Sequence, residues 1–277
     1  MTQALIGKHG EQWHEWVLSN LSRQCTPHSL FERMVARVWS QDDAAAAIDE
    51  GLAALGRSSD WRVPLPRIRV QGEAQSMVTV LGRLQRPQAV LLDNLLSQQE
   101  CQALTDYALH KGLTASGVVD WATGQSVSHE ARTSSSVFFN RAETPLIGAV
   151  EDRLAAVTGW PVSHGEGLQV LRYAPGQEYK PHHDWFDPAR SGSATHLRRG
   201  GQRVSTTVIY LAAARAGGGT CFPNAGLELT PRTGGAVFFT NLTMDGKPDE
   251  MSLHAGTPVI EGTKIVMTYW QREGPFV

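Results

Sequence analysis

A chain of 277 residues is long enough to bury a substantial core without disulfides or a structural metal. Its 41% hydrophobic and 19% charged residues are ordinary for a globular protein, and a net charge of -2 gives no electrostatic footprint for nucleic acid or an anionic membrane. Cys25, Cys101 and Cys221 form no CxxC or Cys/His zinc pattern, the N-terminus lacks a basic-then-apolar leader, and no apolar run reaches bilayer length, so free thiols in a cytoplasmic protein are expected.

The first third has helical periodicity. Trp13, Trp16, Val17 and Leu21 form one stripe, and Thr26-Pro27 opens a second helix with Leu30, Phe31, Met34, Val35 and Val38 inward. Ser40 caps a third, with Asp43 three residues on and Ile48, Leu52 and Leu55 on one face. Residues 56–67 carry Ser-Ser-Asp and two prolines, the composition of a linker. Residues 1–67 are therefore expected to be a small helical accessory region. It could serve homodimerisation or substrate docking, or simply brace the main core.

From residue 68 to 277 the pattern turns β-rich. Strands are expected over 76–81, 89–92, 118–121 and 134–139, with a helix capped by Ser97 and Glu100 and another opened by Thr144-Pro145. After Leu168 come short strands punctuated by Gly and Pro, at 168–173, 179–184, 204–211, 236–240 and 265–270. Such a series favours a sandwich or jelly-roll barrel over a βαβ array.

Tyr179-Lys-Pro-His-His-Asp-Trp185 carries the chemistry. Alternation along a strand would aim His182 and Asp184 at one point and turn His183 away. A third ligand must come from elsewhere, and Ser252-Leu-His254 offers one. Two imidazoles and one carboxylate on one face of a metal suit iron(II) with open positions, whereas closed zinc would want a fourth protein ligand. Ten residues beyond His254, Lys264 heads the apolar strand Ile265-Val-Met-Thr-Tyr-Trp270. Beside a metal chelating a dicarboxylate, such a lysine is the point charge expected for the distal carboxylate; otherwise it is a solvated strand end.

These residues resemble the prolyl 4-hydroxylase branch of the iron(II)/2-oxoglutarate dioxygenases. The resemblance runs loosely over 89–270 and in ordered detail from Leu168-Gln-Val-Leu-Arg-Tyr173 through His182-His-Asp184, Gly200-Gly-Gln-Arg203, Gly217-Gly-Gly-Thr220, Pro231-Arg-Thr-Gly-Gly235, His254 and Lys264. It implies a mainly β protein with α, a double-stranded β-helix (jelly-roll) core flanked by helices, with 68–277 as the dioxygenase domain. It implies iron(II) at His182, Asp184 and His254, and 2-oxoglutarate held by Lys264 with Tyr173, Thr220 and Tyr210. O2 would be the other co-substrate and ascorbate the reductant. Tyr179, Arg203, Trp270 and Arg132 match positions lining the substrate side, although Tyr210, Arg203 and Trp270 could equally be structural.

The implied reaction hydroxylates a peptide or protein, at proline to give 4-hydroxyproline, with release of succinate and CO2. A free amino acid or peptide natural product is the alternative substrate. An inactive jelly-roll binding module and a cupin-like enzyme using another divalent ion are the rival classes. No nucleic-acid or membrane partner is expected. The family often has Glu where this chain has Gly219, and Trp where it has Ile265; both differences are expected to alter the pocket wall. His129, His164 and His196 lie in polar stretches and read as surface histidines.

Overall fold

The computed structural model describes residues 11–23, 25, 27–37, 39–56, 78–119, 126–128, 132–243 and 246–276. The chain divides into two compact units, Met1–Val63 and Pro64–Val277. The linker and the boundary expected after Arg67 fall largely in residues 57–77, outside the described ones.

The first unit contains α1 (Glu11–Ser22), α2 (Pro27–Val35) and α3 (Gln41–Ala54). Their apolar stripes meet in a core of Val17, Leu21, Leu30, Met34, Trp39, Ile48 and Leu52. α1 and α3 touch at Gly51, where a Cβ would lie 2.8 Å from Val17 Cγ1, so any side chain there would force the helices apart. Ser40 Oγ accepts the Asp43 amide at 3.1 Å, as its position ahead of the helix predicts. The Thr26 cap and Val38 lie outside the described residues. Leu55, expected to face inward, is instead the C-cap of α3 and is exposed.

In the second unit β1 (Thr79–Leu84) and β2 (Ala89–Asp93) lead to α4 (Gln98–Lys111), then β3 (Thr114–Ala115), β4 (Gly117–Val119), β5 (Ser126–Ser128) and β6 (Ser135–Phe138). After α5 (Pro145–Thr158) follow β7 (Gln169–Tyr173), β8 (Tyr179–His182), a short α6 (Ser193–Leu197) and the long β9 (Arg203–Ala212). β10 (Ala216–Gly217), β11 (Thr220–Phe222), β12 (Leu227–Leu229), β13 (Ala236–Thr240), β14 (His254–Gly256), β15 (Val259–Glu261) and β16 (Lys264–Arg272) complete it. Both expected helix starts are present. Ser97 and Glu100 form a reciprocal capping box on α4, and Thr144 Oγ1 caps α5 with Pro145 in its first turn.

Eight strands form one sheet in the order β1-β2-β13-β9-β16-β7-β6-β3, and four form a smaller one in the order β12-β11-β14-β8. Neighbours pair antiparallel, and the architecture is the jelly roll expected from the sequence. Strand alternation divides the large sheet into two environments. Val170, Ile209, Phe238, Met267 and Tyr269 pack with α4 and α5 residues such as Leu104, Val150 and Leu154. The intervening Val237 and Phe239 face the small sheet, where the Phe239 ring meets Phe222 edge-on at 5.2 Å. On β16 the residues between Ile265, Met267 and Tyr269 are Lys264, Val266, Thr268 and Trp270, all of which line a cavity on the small-sheet side. No helix among the described residues is long and apolar enough to cross a membrane. All three cysteines are free.

Candidate functional site

β14 lies beside β8 with His254 directly opposite His182, so sheet register brings together two residues far apart in sequence. Their rings stand 4.2 Å apart. Each Nδ1 sits 2.9 Å from the carbonyl two residues earlier, Lys180 O for His182 and Ser252 O for His254. A carbonyl can only accept, so each Nδ1 carries the proton and each Nε2 keeps its lone pair. Burial, then the charge of His254, pushes His182 down to about 3. Burial likewise lowers His254. Both rings are thus neutral at physiological pH, the form that binds a metal.

β8 ends at His182, so Asp184 is not a strand residue as expected but sits in a bend beyond it. β8 is an edge strand containing Pro181, which cannot donate to a ladder, and the chain leaves the sheet there. Tertiary contacts then place the carboxylate. Asp184 Oδ2 accepts from Thr206 Oγ1 at 2.7 Å and from Trp270 Nε1 at 2.9 Å, and Thr206 is itself bonded by Asn241 Nδ2 at 2.9 Å. Burial alone would raise this carboxyl; the neighbouring histidines, Arg203 and the Thr206 hydroxyl together hold it well below the usual carboxylate range. Asp184 Oδ1 is 3.6 Å from His182 Nε2, and Oδ2 is 3.6 Å from His254 Nε2. One donor atom from each of the three lies within 4.8 Å of the others, close enough to share one ion. His183 turns away towards Glu250 and Trp185.

Trp270 and Thr206 therefore orient the carboxylate. Replacing Trp270 with Phe removes one donor while keeping an aromatic ring. The variant is expected to lower affinity for a divalent ion about 10- to 100-fold, checked by calorimetric titration with Mn(II).

The same cavity is lined by Tyr173, Thr220 and Lys264. Lys264 is 3% exposed, and its one hydrogen bond among the described residues is a long one, 3.4 Å to Gly219 O. The ammonium lies 5.3 Å from the Tyr173 ring and 5.2 Å from the Tyr210 ring, without a carboxylate at ion-pair distance among the described residues. Burial pushes it down to about 8. A buried cation left without an anion marks a place for one, so the cavity suits a ligand with a carboxylate at its inner end. Tyr210 is fully buried, its hydroxyl bonded to Thr220 Oγ1 at 2.8 Å and Gly218 O at 3.2 Å, so it backs Thr220 and does not line the cavity.

Outside this cavity a cleft of about 1110 Å³ opens over the cluster of His182, Asp184 and His254. Tyr179, Arg203, Trp270 and Arg132 all line it. Tyr179 stacks on His182 at 3.5 Å, and the Arg132 guanidinium lies 4.8 Å from the Tyr179 ring. Arg203 stacks on Trp270 at 4.0 Å and is tied to Glu166, as is Arg272. The sequence reading missed Glu166, Thr206 and Asn241. Thr206 shares a face with Val208 and Tyr210 on β9, the one local signal of its position; nothing local marks the other two.

Several expectations need correction. Ile265 belongs to the helix-facing core, so its difference from the family leaves the pocket wall untouched. Gly200, Gly201, Gly217 and Gly218 have the positive φ of turn glycines, and Gly219 does not. A Cβ at Gly219 would lie 3.0 Å from the backbone oxygen of Leu229 and would displace the Glu228 side chain, so a larger residue there would press on β12. His196 is half-buried against Phe186 in the cleft wall, and His164 is half-buried with Nδ1 3.3 Å from Arg272 O. His129 lies outside the described residues.

Comparison with known proteins agrees with this geometry. Residues 168–272 match the family model described as the 2OG-Fe(II) oxygenase superfamily. Prolyl 4-hydroxylase 1 of Arabidopsis thaliana is 39% identical over 202 residues, spanning 68% of this chain and 69% of the relative. Probable prolyl 4-hydroxylase 3 of the same plant is 37% identical over 209 residues, spanning 69% and 71%. Among solved structures, a viral collagen prolyl hydroxylase from Paramecium bursaria Chlorella virus-1, as its 2OG complex, superposes with a TM-score of 0.52 at 29% identity. That match covers 66% of this chain and 95% of the viral one.

Proposed function

This chain belongs to the 2OG-Fe(II) oxygenase superfamily, in its prolyl 4-hydroxylase-like branch, and on that premise we propose that it hydroxylates proline residues of a peptide or protein to 4-hydroxyproline. The observation that carries the reading is the meeting, in one cavity, of a three-donor cluster and the ammonium of Lys264, which has no carboxylate at ion-pair distance among the described residues. His182, Asp184 and His254 would hold the iron, three ligands leaving room for a chelating co-substrate. Lys264 would pair with the distal carboxylate of 2-oxoglutarate, with the hydroxyls of Tyr173 and Thr220 beside it. When bound, the iron and 2-oxoglutarate supply the O2 chemistry, with succinate and CO2 as co-products and ascorbate as reductant.

The chain's own residues prepare that chemistry. Nδ1 hydrogen bonds fix the tautomer and plane of both imidazoles. Trp270 and Thr206 pin one carboxylate oxygen of Asp184. Tyr179, stacked on His182, and the Arg203–Trp270 pair wall the approach from the cleft. The cleft, about 1110 Å³ and open to solvent over the cluster, leaves room for a polypeptide segment.

The test combines the chain with Fe(II), ascorbate, 2-oxoglutarate and proline-containing peptides. Oxygen uptake, succinate, and a mass gain of one oxygen atom located at proline are expected, all lost on chelation of the metal. Succinate formed without hydroxyproline would overturn the prolyl assignment.

A pH dependence follows from Lys264. Its free form loses the proton above about pH 8, and the bound dicarboxylate needs the charged form. Apparent KM for 2-oxoglutarate is therefore expected to stay flat below about pH 8 and rise above it, approaching tenfold per pH unit. A KM unchanged to pH 9.5 or so would count against the lysine assignment.

A further inference from the structure

We propose that the cleft selects polypeptides with acidic residues beside the target, an inference resting on the polypeptide hydroxylation proposed above. The whole chain carries a net charge of -2, yet the described residues lining the cleft include six permanent cations, Arg132, Lys180, Arg190, Arg199, Arg203 and Arg272. Against them stand three carboxylates, Glu166, Asp184 and Asp187.

Those carboxylates are already engaged. Asp184 belongs to the metal-ligand cluster. Glu166 Oε1 lies 2.6 Å from Nε of both Arg203 and Arg272. Asp187 pairs with Arg190 at 3.2 Å. Among the described residues no carboxylate lies at ion-pair distance from Lys180 or Arg132. Lys180 is exposed, two residues before His182 on β8. Arg132 is buried and, among the described residues, bonds neutral oxygens, Gly117 O at 3.3 Å and Gln169 Oε1 at 3.1 Å, with no acceptor among them for its Nε.

Uncompensated cations in a concave surface focus a positive potential on whatever enters it. Asp or Glu next to the reacting residue would complete these pairs, while Lys or Arg there would be repelled. Phe138, 54% exposed on the cleft wall, offers apolar contact to uncharged stretches between such residues.

Three peptides identical except for Asp, Asn or Lys on both sides of a single proline test this. Binding to the intact chain loaded with Mn(II) and 2-oxoglutarate is read by fluorescence anisotropy, and hydroxylation with Fe(II) by mass spectrometry. The Asp peptide is expected to bind about 10-fold or more tighter than the Lys peptide at low salt, the ratio shrinking as salt rises. Lys180→Glu should collapse that ratio, with unchanged Tm and metal content reporting that the variant folds. Arg132→Gln should reduce it as well. Equal binding of the Asp and Lys peptides, or a ratio that survives both substitutions, overturns the inference. Preferential binding of the Asp peptide without hydroxylation upholds the charge preference and overturns the prolyl reading instead.

Discussion

His254→Gln is expected to abolish metal-dependent turnover while leaving the fold intact. His254 is buried beside Phe222, Phe239 and His182, and Gln fills a similar volume with a polar end. The substitution removes the Nε2 lone pair that completes a cluster spanning only 4.8 Å. Losing a supporting hydrogen bond costs about 10- to 100-fold in metal affinity, and losing a ligand should cost more. Calorimetric titration with Mn(II) under anaerobic conditions measures the effect, and an unchanged Tm of the metal-free protein separates it from misfolding. Parent-like affinity in this variant would remove His254 from the metal site. His183→Gln is the internal control, because that ring faces Glu250 and Trp185 and should leave affinity unaltered.

Lys264→Ala should raise KM for 2-oxoglutarate between about 30-fold and about 5,000-fold, because leaving one partner of a buried charge pair alone costs about 2–5 kcal/mol. Among the described residues Arg132 is the one other arginine or lysine lining the inner cavity, and it also lines the outer cleft. The substitution also relieves the protein of a buried ammonium that burial already pushes down to about 8, so Tm of the co-substrate-free protein should hold or rise. A higher KM with an undiminished Tm identifies a binding group. A parent-like KM would mean that the dicarboxylate is held elsewhere.

Much of the fold is legible in the sequence because its cues are local. Caps at Ser40, Ser97 and Thr144 lie where short-range hydrogen bonding puts them. Strands over Gln169–Tyr173, Ala236–Thr240 and Lys264–Arg272 follow the apolar runs. Strand ends were harder. Asp184 has the spacing of a strand residue, yet the edge position of β8 and Pro181 release the chain after His182. The very short strands β10, β11, β12 and β15 carry too few residues to show a period, and each exists because a partner strand supplies its hydrogen bonds.

By itself the sequence determined the inventory of donors, their order, and the face of β16 on which Lys264 and Trp270 must lie together, because a period of two is a property of the pleat alone. Tertiary structure decided the rest. It set His254 opposite His182, hung Asp184 from Thr206 and Trp270, turned Ile265 into the helical layer, and spent the cleft's carboxylates on Arg203, Arg272 and Arg190. Each of these joins residues through register or packing across the jelly roll, and register is a collective choice of whole strands that no local window of residues encodes.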